Sequence, residues 1–189
     1  MAASDEGELV KMINTSVDIN DRPSAFRYPR GIGVGMNLPD ITEKLVIGKG
    51  RIIREGKKVA ILNFGTRLKE CLIAEENLKK KGIDLTVVDA RFAKPLDENL
   101  IWQIATNHEA IITIEEGAIG GFGSHVNFFL NEKNLLDNNL KFRSMILPDK
   151  FIDHNKPEEM YKDAGLDARS IELKVLEALN SKVLIKKIN

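Results

Sequence analysis

The sequence predicts a three-layer α/β fold built on a mostly parallel sheet. An apolar run at 59–62 is bounded by Gly56 and Gly65, and such continuous runs are typical of parallel strands covered on both faces. A helical pattern and a second apolar strand at 85–88 follow, which together form a right-handed βαβ unit. Strands and helices alternate from residue 57 onward, which indicates helices on both faces of one sheet.

Composition narrows the class of protein. A chain of 189 residues suits one domain, or one domain plus a fragment of another. Lys plus Arg and Asp plus Glu number 28 each, so no charge excess indicates nucleic acid or membrane as a partner. The acidic N-terminus lacks a secretory signal pattern, and we expect a cytoplasmic protein. The single Cys71 excludes an intrachain disulfide, and we expect it to be a core residue.

The first part of the chain does not contain a complete domain. Ser4 or Asp5 can cap a short amphipathic helix, and residues 24–28 resemble a strand that stops at Pro29. One helix and one strand cannot make a sheet. We therefore expect residues 1–31 to be the tail of a domain that begins elsewhere, and to be poorly packed unless another chain covers them.

A glycine- and proline-punctuated linker is predicted at 32–44, and one α/β domain at 45–189. Residues 44–54 read as an irregular strand or hairpin entry, and Thr66 as the N-cap of the first long helix. The later elements are a helix with Pro95 near its first position, a strand at 111–114, a helix at about 125–131, a strand at 142–147, a helix from Pro157 and a last helix capped by Asp167.

Two motifs suggest chemistry but favour structural interpretations. Residues 117–124, GAIGGFGS, could bring backbone N–H groups close to an anion, yet they lack the Lys-Ser/Thr pair of a P-loop and the dinucleotide-binding glycine spacing. A structural turn is favoured over a nucleotide site. Glu115 and Glu116 are adjacent on a strand and point to opposite faces, which favours a structural or interface role. The three histidines show no metal-ligand spacing.

Arg27, Tyr28 and Arg30 form the most suggestive cluster. They lie where a predicted strand ends and the linker begins, and strand ends are where open α/β sheets bind ligands. Arginine offers bidentate contacts to phosphate. From the residues alone, an anion site and a solvated strand end remain equally open.

A family resemblance extends over almost the whole chain, from Ser4 to about Leu179. Its blocks are SDEGELVKM, PSAFRYPRG, IGKG, VAILNFGT, VVDARFAKPLD, ITIEEGAIGGFGSHV, LPDKFIDHN and GLDARSI. In this order they resemble the 1-deoxy-D-xylulose-5-phosphate synthases, which are transketolase-like thiamine-diphosphate enzymes. The resemblance implies that residues 1–31 end the pyrimidine-binding domain and that 45–189 form the transketolase C-terminal domain.

The resemblance also implies an activity. The family condenses pyruvate with glyceraldehyde 3-phosphate, with loss of CO₂, at the start of non-mevalonate isoprenoid biosynthesis. The full-length enzymes use thiamine diphosphate and Mg²⁺ and are homodimers. Arg30 matches the second arginine of the family's R-Y-P-R-G motif, which belongs to the sugar-phosphate binding site. Arg27 and Tyr28 match the same motif and are assigned only supporting roles.

Several family features have no match in this chain. These are the metal–diphosphate motif, the glutamate that activates the aminopyrimidine and the upstream histidines. We therefore expect no catalytic, cofactor-binding or metal-binding residue here, and no activity from this chain alone. The expected partner is the set of N-terminal thiamine-diphosphate-binding domains, in the same chain or another. The alternative is a stand-alone module that binds or regulates a separate catalytic subunit.

Overall fold

The computed structural model describes residues 1–180. Its helices are α1 (Glu6–Val17), α2 (Leu68–Lys79), α3 (Glu98–Asn107), α4 (Phe122–Glu132), α5 (Pro157–Asp163) and α6 (Ala168–Ala178). Its strands are β1 (Arg51–Arg54), β2 (Val59–Phe64), β3 (Leu85–Asp89), β4 (Ala110–Glu115) and β5 (Lys141–Met145). A 3₁₀ turn lies at Leu135–Asn138.

The five strands form one mostly parallel sheet, as predicted. Their order is β1-β3-β2-β4-β5. β2 pairs in parallel with both β3 and β4, and β4 pairs in parallel with β5. β1 is antiparallel to β3 at one edge, and its register shifts between Ile52 and Arg54. Of the irregular strand or hairpin entry expected at 44–54, only residues 51–54 form a strand, and they form this edge strand.

Helices cover both faces of the sheet, which confirms the three layers. Neighbouring residues of β2 show the division, because successive side chains on a strand point to opposite faces. Ile61 joins a buried cluster with residues of α2 and α6, among them Cys71. Leu62 joins a second cluster with residues of α3 and α4. Cys71 is fully buried, as expected for a core residue.

Three predicted helix starts are wrong. Thr66 does not cap α2, because Arg67 occupies the N-cap position and the Thr66 hydroxyl donates to Glu116 instead. Pro95 lies before α3, whose N-cap is Asp97 with its side chain accepting from the Leu100 N–H. Finally, α4 begins at Phe122 rather than near residue 125, because its first turn already forms inside the glycine-rich segment.

The N-terminal segment is better packed than expected. Asp5 caps α1, as the sequence allowed, by accepting from the Glu8 N–H at 2.8 Å. Met12 is fully buried in a small cluster with Ala3 and Phe92. The expectation of poor packing is thus wrong for α1, whereas most of residues 18–44 are exposed.

The strand predicted at 24–28 is also wrong. Within residues 1–180, Arg27 is the only residue of this segment that pairs, in an isolated parallel bridge to Ala2. The domain boundaries at 1–31, 32–44 and 45–189 stay predictions, and residues 181–189 lie outside the described part of the chain. No helix in the described part is long and apolar enough to cross a bilayer.

Candidate functional site

The sheet reverses its winding direction between β2 and β4. The chain passes from β2 to β3 on one side and, after crossing back, from β4 to β5 on the other. Open α/β sheets bind ligands in the crevice outside the carboxyl ends of the strands at such a point. The segments there are Gly65 to Arg67, after β2, and Glu116 to Gly121, after β4.

Glu115 lies inside the glycine-rich turn. It is 2% exposed, and its Oε1 accepts from the Gly123 N–H at 2.8 Å. A Cβ on Gly117 or Gly121 would lie 2.4 Å or 2.5 Å from Glu115 Oε2. These glycines therefore let the backbone wrap around the carboxylate. Because this internal carboxylate is itself buried and already fills the N-terminus of α4, a dissolved anion cannot reach the N–H groups, and the structure favours a structural turn over a phosphate cradle.

Glu116 lies in a different environment from Glu115. Its Oε1 accepts from the Thr66 hydroxyl and, at 2.9 Å, from Arg67 Nε. The Arg67 guanidinium in turn lies 3.5 Å from the centroid of the Tyr161 ring. Burial, followed by the neighbouring Glu116 charge, raises the pKa of Tyr161. The two glutamates thus have separate hydrogen-bond partners, and the Glu116 ion pair, together with the Arg67–Tyr161 contact, connects β2, β4 and α5.

Arg27 contacts the switch point through its side chain. Its Nη1 donates to the Glu116 backbone oxygen at 3.3 Å, and its guanidinium lies 5.4 Å from the centroid of the Phe64 ring. Its backbone N–H donates to the Met1 oxygen at 3.0 Å. This arginine therefore fastens the N-terminal segment to the ends of β2 and β4.

Tyr28 and Arg30 face solvent. Tyr28 is 60% exposed, and its ring stacks on that of Phe26 at a centroid distance of 6.2 Å. Arg30 is exposed, and its guanidinium makes no hydrogen bond or ion pair with any other residue in the described range 1–180. The Arg27 side chain contacts Glu116 and Phe64, whereas the side chains of Tyr28 and Arg30 face solvent.

Sequence reasoning missed a charged cluster at the end of β3. Arg51 contacts three carboxylates: Nη1 lies 3.1 Å from Glu8, and Nη2 lies 3.0 Å from Asp89 and 3.5 Å from Asp5. Arg91 forms a two-point contact with Glu8 at 2.6 and 2.9 Å. Burial raises the pKa of Asp89, and the Arg51 charge opposes that shift. The cluster docks α1 on the sheet.

Comparison with known proteins assigns this fold to a family. The profile described as "Transketolase, C-terminal domain" matches residues 48–171. The chain belongs to the transketolase C-terminal domain family. The match includes the sheet, the glycine-rich turn and the Glu116–Arg67 ion pair, so these features belong to the transketolase C-terminal domain itself. Arg27, Tyr28 and Arg30 precede the matched range.

Two solved structures resemble this transketolase C-terminal domain protein. One is described as a split-gene transketolase, inactive beta4 tetramer; it shares 29% identity with a TM-score of 0.67 over 77% of this chain. The chain spans 46% of that protein's length. The other is a transketolase from Campylobacter jejuni subsp. jejuni NCTC 11168, with 15% identity and a TM-score of 0.52 over 69% of this chain and 18% of that chain. At that identity the likeness shows the fold alone.

The residues described in this transketolase C-terminal domain protein do not fit a magnesium–diphosphate site. Mg²⁺ is held by carboxylates and phosphate oxygens, and within residues 1–180 no three His, Cys, Asp or Glu side chains come together in a geometry that could hold a metal. The carboxylates of the α1 cluster are neutralised by Arg51 and Arg91 instead.

Proposed function

We propose that this chain is the C-terminal portion of a 1-deoxy-D-xylulose-5-phosphate synthase. Membership of the transketolase C-terminal domain family supports the enzyme class. The ordered motifs from Ser4 to about Leu179 support the particular enzyme, which condenses pyruvate with glyceraldehyde 3-phosphate and releases CO₂. The reaction belongs to isoprenoid biosynthesis, and the proposal includes a cytoplasmic, homodimeric full enzyme.

One observation carries the substrate assignment. Arg30 presents a guanidinium without a partner in the described residues, at the border of the α/β domain. An arginine in this state can bind the phosphate group of an acceptor sugar with two parallel hydrogen bonds. Tyr28, which is also exposed, can contribute a hydroxyl, whereas Arg27 holds the segment in place by its contact to Glu116.

The reactive centre belongs, in this proposal, to the N-terminal thiamine-diphosphate-binding domains. Thiamine diphosphate, anchored by Mg²⁺, supplies the carbanion chemistry when bound. In this proposal the described residues of this chain take no part in that chemistry, because they do not fit the metal site. This chain binds the acceptor phosphate through Arg30 and braces the domains that hold the cofactor.

The experiment reconstitutes the enzyme. Incubated with pyruvate, glyceraldehyde 3-phosphate, thiamine diphosphate and Mg²⁺, the chain alone should bind no cofactor and form no product. Adding a polypeptide that contains the two thiamine-diphosphate-binding domains should give 1-deoxy-D-xylulose 5-phosphate. Product from the isolated chain would contradict the proposal.

Arg30→Ala tests the phosphate role within the reconstituted enzyme. Loss of a charged hydrogen-bonding partner costs about 1.5–3 kcal/mol, so we expect kcat/KM for glyceraldehyde 3-phosphate to fall by roughly 10- to 100-fold, with a much smaller change in KM for pyruvate. Arg22→Ala is the matched control, because Arg22 is exposed and paired with Asp21. An equal loss for both variants would contradict the assignment.

A second candidate is a non-catalytic module that binds or regulates a separate catalytic subunit. It is favoured by the resemblance to the split-gene transketolase structure, whose described assembly is inactive. Stable association with the thiamine-diphosphate-binding polypeptide, without turnover of the two substrates, would select this candidate over the synthase.

A further inference from the structure

One carboxylate fastens the exposed linker to the first turn of α1. The Glu6 side chain accepts hydrogen bonds from three successive backbone N–H groups: Val34 to Oε2 at 3.0 Å, Gly35 to Oε1 at 2.6 Å and Met36 to Oε1 at 2.8 Å. Successive N–H groups that converge on one anionic group form an anion-binding nest. We call residues 34–36 the linker nest.

The local backbone is suited to this contact. Gly35 has φ +86°, a conformation that side-chain-bearing residues rarely adopt. A Cβ on Gly33 would lie 2.7 Å from the Glu6 Cδ, so glycine is required there for the carboxylate to approach. Hydrogen bonds from backbone N–H groups, first its own and then those of Met36, Val34 and Gly35, lower the pKa of Glu6.

The linker nest is accessible from solvent. Val34 is 57% exposed and Met36 is 56% exposed. Farther along, the linker is held to α1 by different contacts, such as Lys11 Nζ to Glu43 Oε2 at 2.9 Å. A dissolved anion can therefore reach the three N–H groups once the Glu6 carboxylate moves away, while the later contacts keep the linker in place.

We propose that the linker nest is a binding site for a small oxyanion, phosphate or carboxylate, and that Glu6 is its internal occupant. A phosphate group has more charge and more acceptor oxygens than the Glu6 carboxylate, and it displaces that carboxylate when it binds. Displacement frees residues 34–36 from the first turn of α1. The site consists of backbone N–H groups and does not depend on the proposed role of Arg30.

Tethering determines how strongly Glu6 competes. A group attached to the same chain acts at an effective concentration of about millimolar or more. A dissolved anion can bind only the fraction of nests that Glu6 leaves free, so its apparent affinity falls in proportion to that fraction. Removal of the Glu6 carboxylate should therefore raise that affinity.

The test follows the assigned backbone amide resonances of the complete 189-residue chain by NMR. Glu6→Ala is titrated with inorganic phosphate and, separately, with acetate. We expect saturable shifts of the Val34, Gly35 and Met36 amides, with an affinity at least about tenfold tighter than in the unsubstituted chain. The arm with the tighter binding identifies the class of oxyanion.

Two further variants make the test specific. Glu55→Ala removes an exposed carboxylate outside the nest and the linker, and this variant should bind like the unsubstituted chain. Gly35→Ala, added to Glu6→Ala, should abolish the shifts because alanine disfavours the positive φ. Unchanged amide resonances of β2 and β4 in each variant will show that the fold is intact.

Several results would overturn the inference. These are the absence of saturable shifts in Glu6→Ala at millimolar phosphate and acetate, shifts confined to Arg30, and undiminished binding after Gly35→Ala. Arg30→Ala separates this site from the proposed function. Added to Glu6→Ala, the Arg30→Ala substitution should leave the saturable shifts of the Val34, Gly35 and Met36 amides unchanged. In the reconstituted enzyme, Arg30→Ala should lower synthase activity.

Discussion

At the scale of single residues, Glu115 and the glycines around it depend on one another. The buried carboxylate accepts from the Gly123 N–H, and the chain passes so close that a Cβ at Gly121 would lie 2.5 Å from Glu115 Oε2. Neither group can move without losing the hydrogen bond. The glycine pattern of the sequence could predict a structural turn. It could not predict that the Glu115 carboxylate fills that turn.

Gly121→Ala should therefore destabilise the protein. Overpacking of this kind typically costs about 1–3 kcal/mol of the free energy of unfolding, measurable by urea denaturation. Gly31→Ala is the control, because no heavy atom of the described residues 1–180 lies within 4 Å of a Cβ there, and we expect a change of no more than about 0.5 kcal/mol. Equal effects of the two substitutions would contradict the close-packing explanation.

Cys71 gives a second prediction at this scale. Burial raises the pKa of its thiol far above the ordinary value, and the thiolate is the reactive form. A thiol-specific reagent at neutral pH should therefore leave the native protein unmodified and react fully after denaturation. Rapid modification of Cys71 in the native chain would contradict this expectation, because it would show that the buried face of α2 opens to solvent.

At the scale of elements, the docking of α1 depends on charges that the sequence does not reveal as partners. Arg91 and Glu8 form their ion pair across a separation of 83 residues, and neither position carries a local pattern that points to the other. The three central strands β2, β3 and β4, by contrast, were predictable because each is a mainly apolar run. Local signals thus predicted the sheet, whereas the placement of α1 and Arg27 required tertiary structure.

Arg51→Ala should release α1 selectively. The substitution leaves the buried Asp89 and Glu8 carboxylates with fewer partners, a loss of about 1–3 kcal/mol. Hydrogen exchange should accelerate at α1 amides while β2 and β4 amides stay protected. Lys44→Ala, which breaks an exposed pair with Asp18, is the control and should cost about 0.2–1 kcal/mol. Unchanged exchange at α1 would contradict this docking role.

At the scale of the whole molecule, both helical layers pack on the same central strand. Ile61 points to the layer of α2 and α6, and Leu62 to the layer of α3 and α4. Both side chains are almost completely buried. Because each layer rests on the other face of one sheet, loss of packing on either face should weaken the entire α/β domain.

Ile61→Ala and Leu62→Ala test that coupling. Each should lower the free energy of unfolding by about 2–5 kcal/mol. Trp102, on α3, reports the second layer by fluorescence, and circular dichroism reports all helices. The two signals should change together in both variants. For Ile61→Ala, a circular dichroism transition that precedes the Trp102 fluorescence transition would indicate that the two layers unfold independently. Ile41→Ala, at an 81% exposed position, is the control.

The two outermost strands bear on whether copies of this protein aggregate. Unpaired backbone groups at a sheet margin can recruit a strand from another molecule. Here β1 is four residues long with a shifted register, and β5 begins with Lys141 and carries Arg143 at its centre. A short, irregular margin on one side and a cationic margin on the other both disfavour fibril-like stacking. These two margins therefore limit strand pairing between copies of the chain while the helices keep the apolar faces of the sheet covered.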